Sequence, residues 1–315
     1  LRSLAPRPWR RRFLRFFAVS ILLATAGGLW LQRDPTARML ARHGELAGRE
    51  EGPLIPVEGG IVDREVRLIS TSGLEVELLV RRPQGVGDSR RPALLVLGGI
   101  RTGRTSAQLI TDTHGTVVVG LSYPTHLSKI KSLADTFEAR RAIVDTPAAL
   151  MLGVDYVRSL PFVDPERVEL LGVSLGAPFV CVAGALDERV SRVWSMYGGA
   201  APMLLFDQGL KKNIGFAPLR RAAAWLIASI SHGFTLAPEK WVPGIAPRTF
   251  MMVNADADEA IPRECVELLY RSAREPKELI WIEGGHLDKH DVTQVVRLVE
   301  LVLSRMDWPG PGEGG

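Results

Sequence analysis

The sequence predicts an α/β domain with a mainly parallel central sheet, and three observations carry that expectation. Continuous runs of β-branched residues and leucine, such as "PALLVLGGI" (92–100) and "GTVVVGLSYP" (115–124), read as strands covered on both faces. Segments with apolar residues at helical intervals separate such runs, so strands and helices alternate around one core. A chain of 315 residues, 46% hydrophobic and 23% charged, is long enough to bury that core as a single unit.

The first element is not part of that core. Seven of the 39 lysines and arginines lie in residues 1–33 with no acid among them, and this basic block precedes "FFAVSILLATAGGLWLQ", free of charge from Phe16 to Gln32. That run is at the short limit for a membrane span and slightly long for the core of a signal peptide. Residues 1–32 are therefore expected to be a signal peptide or membrane anchor, with the protein exported to the periplasm or cell exterior, or held at the membrane by this segment. "RRRFLR", Arg10 to Arg15, resembles the twin-arginine export signal, although Trp9 stands where a small hydroxyl residue is usual. "ATA", Ala24 to Ala26, offers a cleavage site, whereas an uncleaved anchor obeying the positive-inside rule accounts for the same residues. With this block set aside, 32 basic residues face 35 acidic ones, so the body is mildly acidic despite the overall charge of +4. No basic stripe with interleaved aromatics remains, and nucleic acid is not an expected partner.

Residues 33–56 are mixed and polar and are expected to be a linker, poorly ordered or partly helical. From Val57 the pattern changes: "GIVDREVRLIST" and "LEVELLVRRP" alternate at period two across "SG", which signals a half-exposed hairpin. A short helix over 103–113 is expected between the two buried runs. Residues 135–160 have helical spacing, with Pro147 marking a helix start or kink. There follow "DPERVELLGV" as a strand, "LGAPFVCVAGALD" as a helix, "VSRVWSMYGG" as a strand and a helical region from Met203 to about Phe234. "RTFMMVNAD" (strand), "PRECVELLYRSA" (helix), "KELIWIEGG" (strand) and "DVTQVVRLVELVLSRM" (helix) complete a domain spanning 57–306. The tail at 307–315, ending "PGPGEGG", reads as disordered.

A parallel sheet collects its chemistry in the loops beyond the carboxyl ends of its strands. Three such ends carry reactive groups. In "GVSLG" the chain must turn from strand to helix within one residue to present the Ser174 hydroxyl above the sheet, and Gly172 and Gly176 supply the small neighbours that turn needs. The N–H of Leu175 opens the following helix unpaired and is available to a developing oxyanion. A serine hydroxyl needs a base, and the base needs an orienting carboxylate. "IEGGHLD" sets His286 in a glycine-rich loop beyond a strand, and "VNADADEAIP" offers Asp256, Asp258 and Glu259 beyond the preceding one. His43, His114, His126 and His232 fall in linker, connecting or helical segments, where surface or core roles are expected.

This constellation, in the order Ser, Asp, His, resembles the α/β-hydrolase superfamily over residues 57–306. "LPFVDPERVELLGVSLGA" is similar to its secreted and membrane-associated esterase, dienelactone hydrolase and serine peptidase branches. The resemblance implies an α/β-hydrolase fold and a triad of Ser174, Asp258 and His286, because the family's acid stands just before a Val-Pro or Ile-Pro pair, here Ile261 and Pro262. Asp256 is the alternative acid and otherwise a loop-capping residue. A second oxyanion donor is implied in "LGGIRTG", from the N–H of Gly99 or Ile100. Hydrolysis of carboxylic esters through an acyl-enzyme is the implied activity, with peptidases and acyltransferases using the same triad and a catalytically silent binding protein as the rival outside enzymes. A small helical cap is expected at about 200–247, whose apolar residues, among them Met203, Phe206, Phe216 and Trp225, either line an acyl pocket or pack the cap onto the body. The expected ligand is a small-molecule or acyl substrate. No cofactor is expected, and no metal either: Cys181 and Cys265 read as small buried hydrophobes, and the pair His286 and His290 has no third ligand in sight.

Overall fold

Alternation along the strands decides what each face of the sheet meets. In β5 (Arg91–Leu97), Ala93, Leu95 and Leu97 belong to one buried apolar cluster and Leu94 and Val96 to another, so the strand is covered on both sides. A computed structural model of the chain describes residues 33–85, 90–99, 102–124, 133–287 and 291–306, with Val19, Leu22, Ala26 and Gly27 as isolated earlier positions. The export motif, most of the apolar run, the tail and the residues Ile100, His126 and His290 lie outside the described residues. Among the described residues no helix is long and apolar enough to cross a membrane.

Among the described residues ten strands, β1 to β10 in chain order, form one mixed sheet in the order β1, β3, β4, β6, β5, β7, β8, β9, β10, with β2 paired to β3. The hairpin of β3 (Ile61–Ser70) and β4 (Glu75–Pro83) is antiparallel, closed by a turn in which Gly73 has φ 73°. From β6 (Val117–Leu121) through β5 to β7 (Val163–Val173), β8 (Arg192–Met196), β9 (Thr249–Ala255) and β10 (Lys277–Ile282) every pairing is parallel. All six of these strands therefore point their carboxyl ends the same way, as the alternating pattern requires.

The segment expected to be a linker is built into the fold. It forms α1 (Thr36–His43), β1 (Leu46–Glu51) and β2 (Ile55–Val57), the two strands both pairing with β3. Its sequence is polar because β1 is held by backbone pairing at the sheet edge, where Arg67 reaches Glu50 at 3.4 Å and most side chains stay in water. Met39 of α1 is fully buried in the core, and Arg42 bonds Asp145 at 3.2 Å. Pro147 lies inside α2 (Leu133–Ser159) rather than at its start. The helix expected over 103–113 is a single 3-10 helix, Gly103–Leu109.

One face of the sheet carries α1, α2, α3 (Ala177–Leu186) and α6 (Arg263–Ser272). The other is covered by the 3-10 helix and α7 (Val292–Leu303). Between β8 and β9 the chain runs through α4 (Pro202–Leu210) and α5 (Ala217–Ile230). Cys181 and Cys265 are free and buried, and burial pushes both thiols upward, Cys265 to about 11.

Candidate active site

The turn at Ser174 is made by two glycines that nothing else can replace. A Cβ at Gly172 would stand 2.5 Å from the carbonyl oxygen of Gly176, and one at Gly176 would stand 2.0 Å from that of Leu97. Strand β7, the start of the helix and the end of β5 thus meet at backbone contact. The remaining cost falls on Ser174, whose φ of 52° lies in the left-handed region, at about 1–2 kcal/mol for an L-residue. Residues Ser174–Gly176 form a 3-10 turn and α3 follows from Ala177. Leu175 sits in the first turn, where an N–H has no intrahelical acceptor.

His286 and Asp258 arrive from the two neighbouring strand ends. His286 Nε2 is 3.1 Å from Ser174 Oγ, and its Nδ1 is 2.8 Å from Asp258 Oδ2. The aspartate side chain is 1% exposed and the imidazole 22%, so the chain of groups runs from interior to surface. The other oxygen of Asp258, Oδ1, accepts the N–H groups of Ala260 at 2.8 Å and Ile261 at 2.9 Å, which fixes the carboxylate plane. Asp256 faces elsewhere: its Oδ1 accepts the Gly284 N–H at 3.1 Å and pins the loop before His286 to the end of β9. A hydroxyl, imidazole and carboxylate chained in this way can move the hydroxyl proton onto the ring while the carboxylate stabilises the resulting charge.

Three supporting residues carry no motif of their own. Glu259 accepts the backbone N–H of His286 at 3.3 Å, and its own backbone N–H, with that of His286, holds its carboxyl below the usual range. Tyr197 presents its ring edge-on to the imidazole, with centroids 5.3 Å apart. Its hydroxyl accepts from Gln294 Nε2 at 2.9 Å, and burial, with the charge of Asp258, pushes it up to about 12. Glu259 is visible in the sequence only as a neighbour of the acid. Tyr197 and Gln294 sit 97 positions apart and give no local signal.

The loop after β5 lies beside this turn. The Gly98 carbonyl accepts from the Tyr123 hydroxyl at 2.9 Å, and that of Gly99 accepts from the N–H and hydroxyl of Thr102 at 2.9 and 2.8 Å. The Tyr123 bond to the Gly98 carbonyl orients the peptide unit that carries the Gly99 N–H; Ile100 is among the positions outside the described residues.

A cavity of about 640 Å³ opens at Ser174 and His286 and runs down the sheet face that carries α7. None of the apolar residues at 203–234 lines this cavity, and Leu204, Phe216, Trp225 and Leu226 are exposed rather than packed onto the body. The insertion instead meets the acid loop, where Gln208 Nε2 donates to the Glu259 carbonyl at 2.9 Å. The remaining described histidines stand apart from the site: His43 pairs with Asp155 at 2.8 Å, His114 lies 3.9 Å from Asp112, and His232 is buried against Arg140. Among the described residues no group of three His, Cys, Asp or Glu is arranged to hold a metal ion.

No family model matches the sequence. The uncharacterized protein YfhR of Salmonella typhi is 32% identical over 144 residues, 43% of this chain and 45% of that protein. YfhR of Escherichia coli K12 is 26% identical over 160 residues, 49% of this chain and 51% of that one. The chain thus spans about half the length of the curated relatives it matches. Among solved structures, acetyl xylan esterase 1 from Thermoanaerobacterium sp. JW/SL YS485 superposes with a TM-score of 0.60 at 17% identity, over 86% of this chain and 94% of its own. The acetyl xylan esterase from Paenibacillus sp. R4 gives 0.61 at 15% identity, over 87% and 93%. The alpha/beta hydrolase GrgF from Penicillium sp. sh18 gives 0.54 at 18%, over 82% and 99%. At such identities the likeness is one of fold.

Proposed function

The chain has the α/β-hydrolase fold, and on that premise we propose that it is a serine hydrolase acting on carboxylic esters, with Ser174 as nucleophile, His286 as base and Asp258 as the orienting acid. The observation that carries this reading is the unbroken chain from Ser174 Oγ through His286 to Asp258, at 3.1 and 2.8 Å, beginning on a serine with positive φ. Strain at a nucleophile persists only where the surroundings impose it, and here Gly172 and Gly176 do so. The two acetyl xylan esterases among the fold neighbours support the choice of ester as substrate class.

In the reaction, Ser174 Oγ attacks the ester carbonyl carbon as its proton passes to His286 Nε2. The charge that builds on the carbonyl oxygen is met by the N–H groups of Leu175 and Gly99. Asp258 stabilises the imidazolium across the 2.8 Å contact at Nδ1. Collapse of the tetrahedral intermediate breaks the bond to the alcohol oxygen, which takes the proton from His286, and leaves the acyl group on Ser174. Water then repeats the sequence, releasing the carboxylic acid and restoring the serine hydroxyl.

A fluorophosphonate probe tests the assignment directly. Labelling should map to the peptide containing Ser174, and Ser174→Ala should lose both the label and the turnover of activated esters. Labelling elsewhere, or ester turnover that survives in Ser174→Ala, would remove Ser174 as the nucleophile.

A further inference from the structure

The two faces of the sheet are unequally covered. Among the described residues, the chain beyond β5 makes only the seven-residue 3-10 helix before returning in β6, and α7 alone shares that face with it. The cavity occupies the gap between them, over Leu94 and Val96 of β5, Leu171 of β7 and Met196 of β8. Leu109 and Ile110 form one wall. Val295, Leu298, Val299 and Val302 form the other.

The polarity of this cleft is graded along its length. At the mouth stand Ser174 and His286, with Thr102 and Ser106 beside Gly98. Below them the lining is aliphatic. Further along the same sheet face Glu169, two residues before Leu171, accepts from Trp194 Nε1 at 2.7 Å and pairs with Arg192 at 3.4 Å. Arg192 in turn donates to the Arg305 carbonyl at 2.9 Å, tying the foot of α7 to the sheet. The opposite wall is fixed as well, because Arg81, paired with Asp63 at 2.8 Å, donates to the Ile110 carbonyl at 2.9 Å. Bonds to the backbone thus hold both walls of the cleft.

From Val295 to Val302 is seven residues of helix, about 10 Å at 1.5 Å per residue. A staggered alkyl chain with bonds of about 1.5 Å advances about 1.25 Å per carbon, so this depth takes about eight carbons. We infer that the cleft between the 3-10 helix and α7 is the acyl-binding site, and that the preferred substrates are esters of unbranched medium-chain fatty acids, octanoyl being near the optimum. This rests on the reading of Ser174 as nucleophile, since the acyl carbon must sit at the mouth for its chain to enter. It also separates the chain's specificity from that of its acetyl xylan esterase neighbours, which are named for a two-carbon acyl group.

The test is the ratio of kcat/KM across p-nitrophenyl acetate, butyrate, octanoate and palmitate. Each buried methylene is worth about 0.8 kcal/mol, or about fourfold, so octanoate should exceed acetate by at least a hundredfold and palmitate should fall below octanoate. Val299→Phe and Leu109→Phe, from opposite walls, should each lower the octanoate-to-butyrate ratio at least tenfold. Leu109 is partly exposed and tolerates the larger ring if Val299→Phe does not fold. A series in which acetate is best, or folded variants with an unaltered ratio, overturns the inference while leaving Ser174 as nucleophile. Should wild type turn over no ester at all, the proposed reaction fails, and titration of decanoate into Ser174→Ala still decides the cleft: saturable binding lost in Leu109→Phe supports it, and no binding overturns it.

Discussion

Replacing Asp258 by Asn alters one atom of the carboxylate and leaves its shape. Oδ1 of the native residue accepts the N–H groups of Ala260 and Ile261, while Oδ2 faces His286 Nδ1. An asparagine whose oxygen keeps the two backbone bonds turns its NH2 toward the imidazole. The opposite orientation returns an acceptor to His286 but sets NH2 against two N–H donors, so it is disfavoured. In the retained orientation Nδ1 must accept, the ring proton moves to Nε2, and the nitrogen facing Ser174 Oγ can no longer take its proton. The same tautomer error in serine proteases costs about 10⁴ in kcat, or roughly 5.4 kcal/mol of transition-state stabilisation. Folding should barely respond, with less than about 1.5 kcal/mol lost, because the turn keeps its acceptor. Asp256→Asn is the paired control: it preserves an oxygen for the Gly284 N–H and should cost less than about tenfold in kcat. Steady-state kinetics on p-nitrophenyl esters with both purified variants, alongside urea melts, make the comparison. If Asp256→Asn is the slower enzyme, the assignment of Asp258 as the acid is wrong.

Further variants probe the turn and the core. Ser174→Gly should be about 1 kcal/mol more stable than Ser174→Ala in chemical denaturation, since only glycine is free of strain at a φ of 52°. Gly176→Ala should cost about 3 kcal/mol or more, or give no soluble protein, because its Cβ meets the Leu97 carbonyl at 2.0 Å. Gly99→Ala, with nothing within 4 Å of the added carbon, should melt within a few degrees of wild type by circular dichroism. Burial first, then the positive charges of Arg140 and Arg38, lowers the His232 imidazole to about 4, so the folded state keeps it neutral while the unfolded chain protonates near 6.5. Its contribution to stability is full above about pH 6.5 and is lost as pH falls toward 4. The loss should be about 2–3 kcal/mol and largely absent in His232→Gln, as measured by urea unfolding across that range.

What the sequence determined by itself lies where the constraint is local. The strands β5 and β7 announce themselves because burial on both faces forces continuous apolar runs. The turn at Ser174 is equally legible, since strand, serine and helix are consecutive and two close backbone approaches allow only Gly172 and Gly176. His286 and the acidic cluster could be placed at strand ends for the same reason. The charge-rich β1 escaped notice because an edge strand is held by main-chain pairing and leaves its side chains free of any hydrophobic period. Between Asp256 and Asp258 the sequence offered two carboxylates two residues apart. Only the path of two loops from separate strands brings one oxygen to 2.8 Å of the imidazole and turns the other aspartate to Gly284. The cavity was the least legible feature. It is defined by the space between a short 3-10 helix and α7, elements far apart in the chain, and apolar residues that line a cleft have the same pattern as residues that fill one.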